Sequence, residues 1–151
     1  MAAHQQMVLR TAWRLLGRQE DAQDAAQEVF LRLFRNRASV NGDPKAWLYR
    51  VTVNVCHDHH RRRKPMLELS PQKADPAPDP ELVLTLKERQ GLIVEGLEIL
   101  AERQRACIVL RDIEGLSTVE VAAILDVEEV TVRGQIHSAR VKLARYVRSR
   151  R

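Results

Sequence analysis

An all-α protein of two small helical domains is what this sequence predicts, and three observations predict it. Apolar residues recur at three- and four-residue spacing through most of the chain. No run alternates apolar with polar residues as a half-buried strand would, and glycine is scarce, at 6 of 151 residues. Between the periodic stretches, Pro65, Pro71, Pro76, Pro78 and Pro80 stand among Asp, Ser, Lys and Gln, the composition of an exposed, extended linker. The chain is therefore expected to divide into a domain over residues 1–64, a linker over 65–80 and a domain over 81–151.

Met7 to Leu16 is the first helical pattern, with Val8, Leu9, Ala12, Leu15 and Leu16 apolar and Gly17 ending it. Asp21 to Phe34 is the second. Ala22, Ala25, Ala26, Val29, Phe30 and Leu33 repeat along one face, and Asp21 and Asp24 favour the positive end of the helix dipole. Asn41-Gly42-Asp43-Pro44 marks a loop, and Pro44 suits the first turn of a helix that runs from about Lys45 to Arg63. Trp47, Leu48, Val51 and Val55 form its apolar stripe, while Tyr49, Arg50, Asn54, His57 and Arg61 lie mostly elsewhere. It ends in Arg61-Arg62-Arg63-Lys64, a run longer than the dipole alone needs and suited to phosphate. After the linker, Leu82, Leu86, Leu92, Ile93, Leu97 and Leu100 resume a helical pattern that Gly91 or Gly96 could break. Ala101 to Ile113 follows as a helix with Ala106, Val109, Leu110 and Ile113 inward.

Glu114 to Tyr146 reads as a helix-turn-helix. Gly115 can close the preceding helix, and Ser117 with Glu120 forms a capping box that starts a helix at Thr118. Val121, Ala122 and Leu125 share a face, Ala122 being small where two helices must cross. The turn is Asp126–Val127. The second helix points Val132, Ile136, Ala139 and Leu143 inward and carries Arg133, Gln135, His137, Arg140 and Lys142 on its other face. A basic helix of this kind can enter the major groove, where Gln135 suits adenine and Arg133 or Arg140 suits guanine or phosphate. The alternative for the same residues is an amphipathic pair with a solvated charged face.

A net charge of +5 is compatible with a polyanionic partner. Cys56 and Cys107 fall in different domains among apolar neighbours, as buried free thiols do. Cys56, His57 and His60 offer two metal ligands to a helix face, short of the usual four, so no metal and no cofactor are expected. No phosphate loop or nucleophile–base arrangement occurs, which argues against an enzyme. Neither a signal peptide nor a long apolar run stands out, so the expected place is the cytoplasm, with no membrane insertion.

Taken together, LLGRQEDAQDAAQEVFLRLFRN with KAWLYRVTVNVCHDHHRRRKP, then ILAERQRACIVLRDIEGLSTVEVAAIL with VTVRGQIHSARVKLARY, resemble regions 2 and 4 of an extracytoplasmic-function (ECF) sigma factor. These are small sigma subunits of bacterial RNA polymerase. The resemblance implies that Asp24, Gln27, Glu28 and Arg32 bind the β′ clamp of core polymerase, and that the second domain lies near the β flap. It implies that Lys45–Lys64 reads and melts the promoter −10 element, through Trp47, Arg50, Asn54, Arg61, Arg62 and Arg63, with the loop Arg37–Asp43 taking a flipped base. Core packing is the rival role for Trp47. For the −35 element it implies Thr131, Arg133, Gln135, His137, Ser138 and Arg140. An anti-sigma protein is an implied partner. The chain departs from the family at Asp126 and Glu128, where Gly and Ser or Pro are common. A DNA-binding regulator that is not a polymerase subunit would explain the second domain and leave the first unexplained. A helical module binding only protein would predict a salt-insensitive complex.

Overall fold

The computed structural model describes residues 2–40, 43–68 and 93–149. Helix α1 spans Ala2–Leu16 and begins ahead of the expected Met7. Met7, Val8, Thr11, Ala12 and Leu15 form its buried stripe. Gly17 ends it at φ +81°, donating its N–H to the Trp13 carbonyl at 2.7 Å. Helix α2, Gln19–Arg35, turns back over α1 and buries Ala22, Ala25 and Val29. Its small residues let the helix axes approach. Asn36 closes it, donating from backbone and side chain to the Arg32 carbonyl at 3.0 and 2.8 Å. A 3₁₀ turn over Arg37–Ser39 follows.

Helix α3 is Lys45–Glu68, with its first N–H held by Asp43 Oδ1 at 3.1 Å. It passes through Pro65 rather than stopping near Arg63. A proline so close to a helix end removes one hydrogen bond of the ladder, with little helix beyond it to lose. The expected linker beyond residue 68, the pattern from Leu82 to Leu92 and the loop pair Asn41-Gly42 lie outside the described residues.

The second half opens with α4, residues 93–98, which contains Gly96; the break comes after it. Helix α5 is Glu102–Ile108 and widens over Val109–Ile113, where the Glu114 N–H reaches the Val109 carbonyl five residues back at 2.9 Å. Such widened turns recur at functional positions. Helix α6 is Thr118–Leu125 and α7 is Glu129–Ser149.

Helices α1, α2 and α3 pack mutually, and α5, α6 and α7 form a second group. The two groups do not stay apart. Helix α3 packs on α6, α1 packs on the widened turn of α5, and one buried apolar cluster runs from Met7 to Ala139 through both. Arg105 fastens this junction from inside. It is buried and donates to the carbonyls of Leu97, Glu98 and Leu100 in its own half and of Leu15 in the other, at 2.8 to 3.1 Å.

Candidate nucleic-acid interface

The helix-turn-helix is built as the residues dictate. Ser117 Oγ accepts from the Glu120 N–H and Glu120 Oε1 accepts from the Ser117 N–H, both at 3.1 Å. Those bonds hold the Glu120 carboxyl below its ordinary range. Gly115 takes φ +78°, and Asp126 takes the left-handed φ +55° that ends α6. The Val127 N–H then bonds the Ala122 carbonyl at 3.1 Å. Val121 and Ile124 are the buried residues of α6, with Ala122 and Leu125 partly buried beside them. Thr118 Oγ1 donates to Glu129 at 2.9 Å, tying the two helix starts together.

On α7 the inward set Val132, Ile136 and Ala139 is buried, and Leu143 packs against it. The six residues expected to face DNA divide. Arg133, His137, Ser138 and Arg140 are exposed. Arg133 pairs with Glu129 and Arg140 with Asp112, each at 2.7 Å. Exposed pairs of this kind contribute little and can be exchanged for phosphate. Among the described residues, no other part of the protein lies within 4 Å of the place of a Cβ on Gly134, so that face of the helix is open to a ligand. Thr131 and Gln135, by contrast, are half-buried and face the first half of the chain.

On α3, Trp47 is half-buried against the core and, with Arg50, Ser39, Val40, Asp43 and Ala46, lines a surface pocket of about 290 Å³. The loop and helix expected to share a flipped base are thus brought together. Arg50 donates to the Ala123 carbonyl of α6 at 2.8 Å. Asn54 and Arg61, with His57, line a cavity of about 140 Å³ whose opposite wall is Arg103, Thr131 and Gln135. Arg62 is exposed, and the Arg63 side chain lies outside what is described.

On α2, Asp24 and Gln27 are exposed and Glu28 pairs with Arg32 at 2.8 Å. Beside them is a feature the sequence reading passed over. Leu31 and Phe34 stay 55% and 72% exposed and, with Leu9, Ala26 and Phe30, line a broad groove of about 730 Å³. The signal was available: Leu31 and Phe34 fall off the stripe formed by Ala22, Ala25 and Val29. The thiols are buried, which pushes Cys56 up to about 12 and Cys107 up to about 11, the latter against the pull of Arg103. No group of three or more metal-ligating side chains occurs among the described residues, nor does any helix there suffice to cross a membrane.

Residues 1–65 match the family described as Sigma-70 region 2, and residues 83–143 match Sigma-70, region 4. The chain is 39% identical over 150 residues to the ECF RNA polymerase sigma factor SigE of Mycolicibacterium smegmatis, covering 95% of this chain and 58% of that protein. It therefore spans less than two thirds of that relative. It is 30% identical over 156 residues to the ECF RNA polymerase sigma factor SigW of Bacillus subtilis, covering 93% of this chain and 83% of that one. The fold is shared with the sigma factor RpoE solved in complex with the anti-sigma factor NepR from Bartonella quintana, at a TM-score of 0.75 and 21% identity over 99% and 95% of the two chains. The chain belongs to the sigma-70 superfamily. Within it, the chain is a member of the ECF sigma factors of RNA polymerase.

Proposed function

We propose that this protein binds core RNA polymerase and directs initiation at promoters bearing two spaced elements. The observation that carries the reading is the order of the two halves: a region 2 match, then a region 4 match whose α7 presents Arg133, His137, Ser138 and Arg140 to solvent. Residues 1–64 act on core polymerase and the −10 element, 65–80 link, and 81–151 read the −35 element. Asp24, Gln27, Glu28 and Arg32 meet the β′ clamp, where a polar face with acidic members complements a basic surface. The exposed Leu31 and Phe34 add apolar area to that same face. Trp47, Arg50, Asn54 and the arginines from Arg61 to Arg63 handle the melted strand, by stacking, hydrogen bonding and charge. Thr131, Arg133, Gln135, His137, Ser138 and Arg140 read the duplex. Tethering raises the effective concentration of each weak element. The chain performs no chemistry of its own, works in the cytoplasm, and is held inactive by an anti-sigma protein.

Transcription in vitro with core polymerase on a fragment library tests this. New start sites preceded by two shared elements are expected. They should weaken with Arg133→Ala at the upstream element and with Asn54→Ala at melting. Sequence-specific duplex binding with no stimulation of core would overturn the reading in favour of a regulator outside the polymerase.

A further inference from the structure

Helix α7 keeps valine where a solvated basic helix has no use for it. The buried residues Val132, Ile136 and Ala139 mark one side of the helix. At about 100° per residue, the line opposite them runs through Val130, Gly134, His137 and Val141, all exposed. Val130 is 68% exposed, and among the described residues it is neither in the buried cluster nor packed against it. Helix stability does not account for it, because a branched Cβ restricts χ1 and makes valine a weaker helix former than alanine.

The other side chains of the first turn are engaged. Glu129 accepts from Thr118 Oγ1 of α6 at 2.9 Å and from Arg133 at 2.7 Å. Thr131 is half-buried and faces the first half of the chain. That leaves Val130 standing outward. One turn further on, Gly134 has no side chain, and no other part of the described protein comes within 4 Å of the place of its Cβ. Residues four apart are neighbours on a helix surface. Val130 is therefore an apolar wall beside a notch one side chain wide. The surroundings are cationic, with Arg133, Arg140, Arg145 and Arg148 exposed on the same helix. Charge of that sign favours a polyanion as the occupant. The first turns of a recognition helix reach base edges, and the apolar group that a base edge offers in the major groove is the C5-methyl of thymine.

We propose that Val130, with the notch at Gly134 beside it, selects thymine in the upstream promoter element by enclosing its C5-methyl group. This rests on the functional reading above and deepens it, adding an apolar reader to the polar set and giving Gly134 a task. Valine suits that task because its χ1 is stiff, so little side-chain freedom is lost on contact.

The test uses holoenzyme assembled from core polymerase and the full chain, as wild type, Val130→Ala and Gly134→Ala. Both positions are exposed, and circular dichroism checks that helix content is kept. On a promoter taken from the fragment library, each thymine of the upstream element is replaced in turn by deoxyuridine, which keeps the pairing groups and lacks the methyl. Duplex binding is read by competition. At one position the replacement should weaken wild-type binding about fourfold, the equivalent of ~0.8 kcal/mol for one buried carbon group. Val130→Ala should bind the thymine and deoxyuridine duplexes alike at that position and keep its responses elsewhere. Gly134→Ala fills the notch and should also lose the preference. An equal deoxyuridine penalty in wild type and Val130→Ala would overturn the proposal, as would no penalty at any thymine or an upstream element without thymine on either strand. The functional reading fails separately. If the holoenzyme initiates nowhere, the sigma role is lost, and the same replacement scan on a duplex selected from random sequences by the full chain alone decides the notch.

Discussion

The two helices proposed to touch DNA are buried in different ways. Helix α7 packs its Val132, Ile136 and Ala139 within its own half and leaves Arg133, His137, Ser138 and Arg140 to solvent. Helix α3 has neighbours on two sides. At 100° per residue, Leu48, Thr52 and Val55 share one side, all buried, and α1 and α2 are their neighbours within the half. Arg50, Val53, Asn54, His57 and Arg61 share the other side, which faces the second half: Val53 is buried and His57 half-buried there, while Arg50, Asn54 and Arg61 stay exposed. A surface covered by its own half is apolar and periodic. One that only borders a separable half keeps polar residues, because much of it stays in contact with water.

Substitutions on the two sides of α3 should separate these kinds of burial. Leu48→Ala removes a fully buried side chain from the first half and should cost about 2–5 kcal/mol of unfolding free energy, read by urea denaturation. Hydrogen exchange should then rise throughout α1, α2 and α3. Tyr49→Phe keeps the ring and loses one hydrogen bond to a charged acceptor, about 1.5–3 kcal/mol. Its exchange should rise chiefly along the α3–α6 contact and the widened turn of α5. The same pattern for both variants would show that α3 is a single burial unit, and the distinction drawn here would fall.

Much of α7 was legible in advance because its determinants are local. The capping box at Ser117 and Glu120, the turn at Asp126 and the inward row Val132, Ile136 and Ala139 each sit within a few residues of what they control. Helix α3 was legible on its Leu48 and Val55 side alone. Tyr49 and His57 were placed off the apolar stripe, and nothing in periodicity shows that a chain segment more than sixty residues away covers Tyr49. Arg105 is the extreme case. It reads as an ordinary charged helical residue, and its burial depends on four carbonyls brought together by two halves. The same limit explains why Arg10, Arg14 and Glu114 went unread as a group. Ion pairs leave no spacing signature when their members lie in different domains.

Within the second half, two positive-φ positions sharpen the local side of the comparison. Gly115→Ala places a Cβ where nothing among the described residues crowds it, so its cost should come from backbone conformation, about 1–2 kcal/mol. Asp126→Gly runs the opposite way, relieving a left-handed non-glycine residue, and should stabilise by roughly 0.5–1 kcal/mol. Both are read as changes in the unfolding midpoint. Neither should alter the dimensions of the folded chain.

The smallest effect expected is a dependence on mild acid of closure, the packing of the two halves on each other. His57 sits at the junction with Nδ1 against Glu102 and with Nε2 lacking a hydrogen-bond partner among the described residues. Burial lowers its pKa below the ordinary 6.5; Arg61, His60 and Arg105 act in the same direction, Glu102 opposes them, and Arg103 lines the same cavity. The closed form therefore holds this imidazole neutral. Above 6.5 both forms are neutral and closure is unaffected; as pH falls through that value the open form takes a proton that the closed form resists, and closure weakens. Glu114 acts further down the scale. Burial raises its pKa, but the bonds and charges of Arg10, Tyr49 and Arg14 outweigh burial and lower it, so its contribution is lost only in stronger acid, as pH drops through its folded value. Glu98 works against both, since burial raises its pKa and its protonation favours the closed form. The window just below the ordinary histidine value thus isolates His57. Small-angle scattering across it should show wild type expanding as pH falls, and His57→Gln keeping constant dimensions. Equal expansion in the two would assign the acid response to a carboxylate and remove His57 from the junction's energetics.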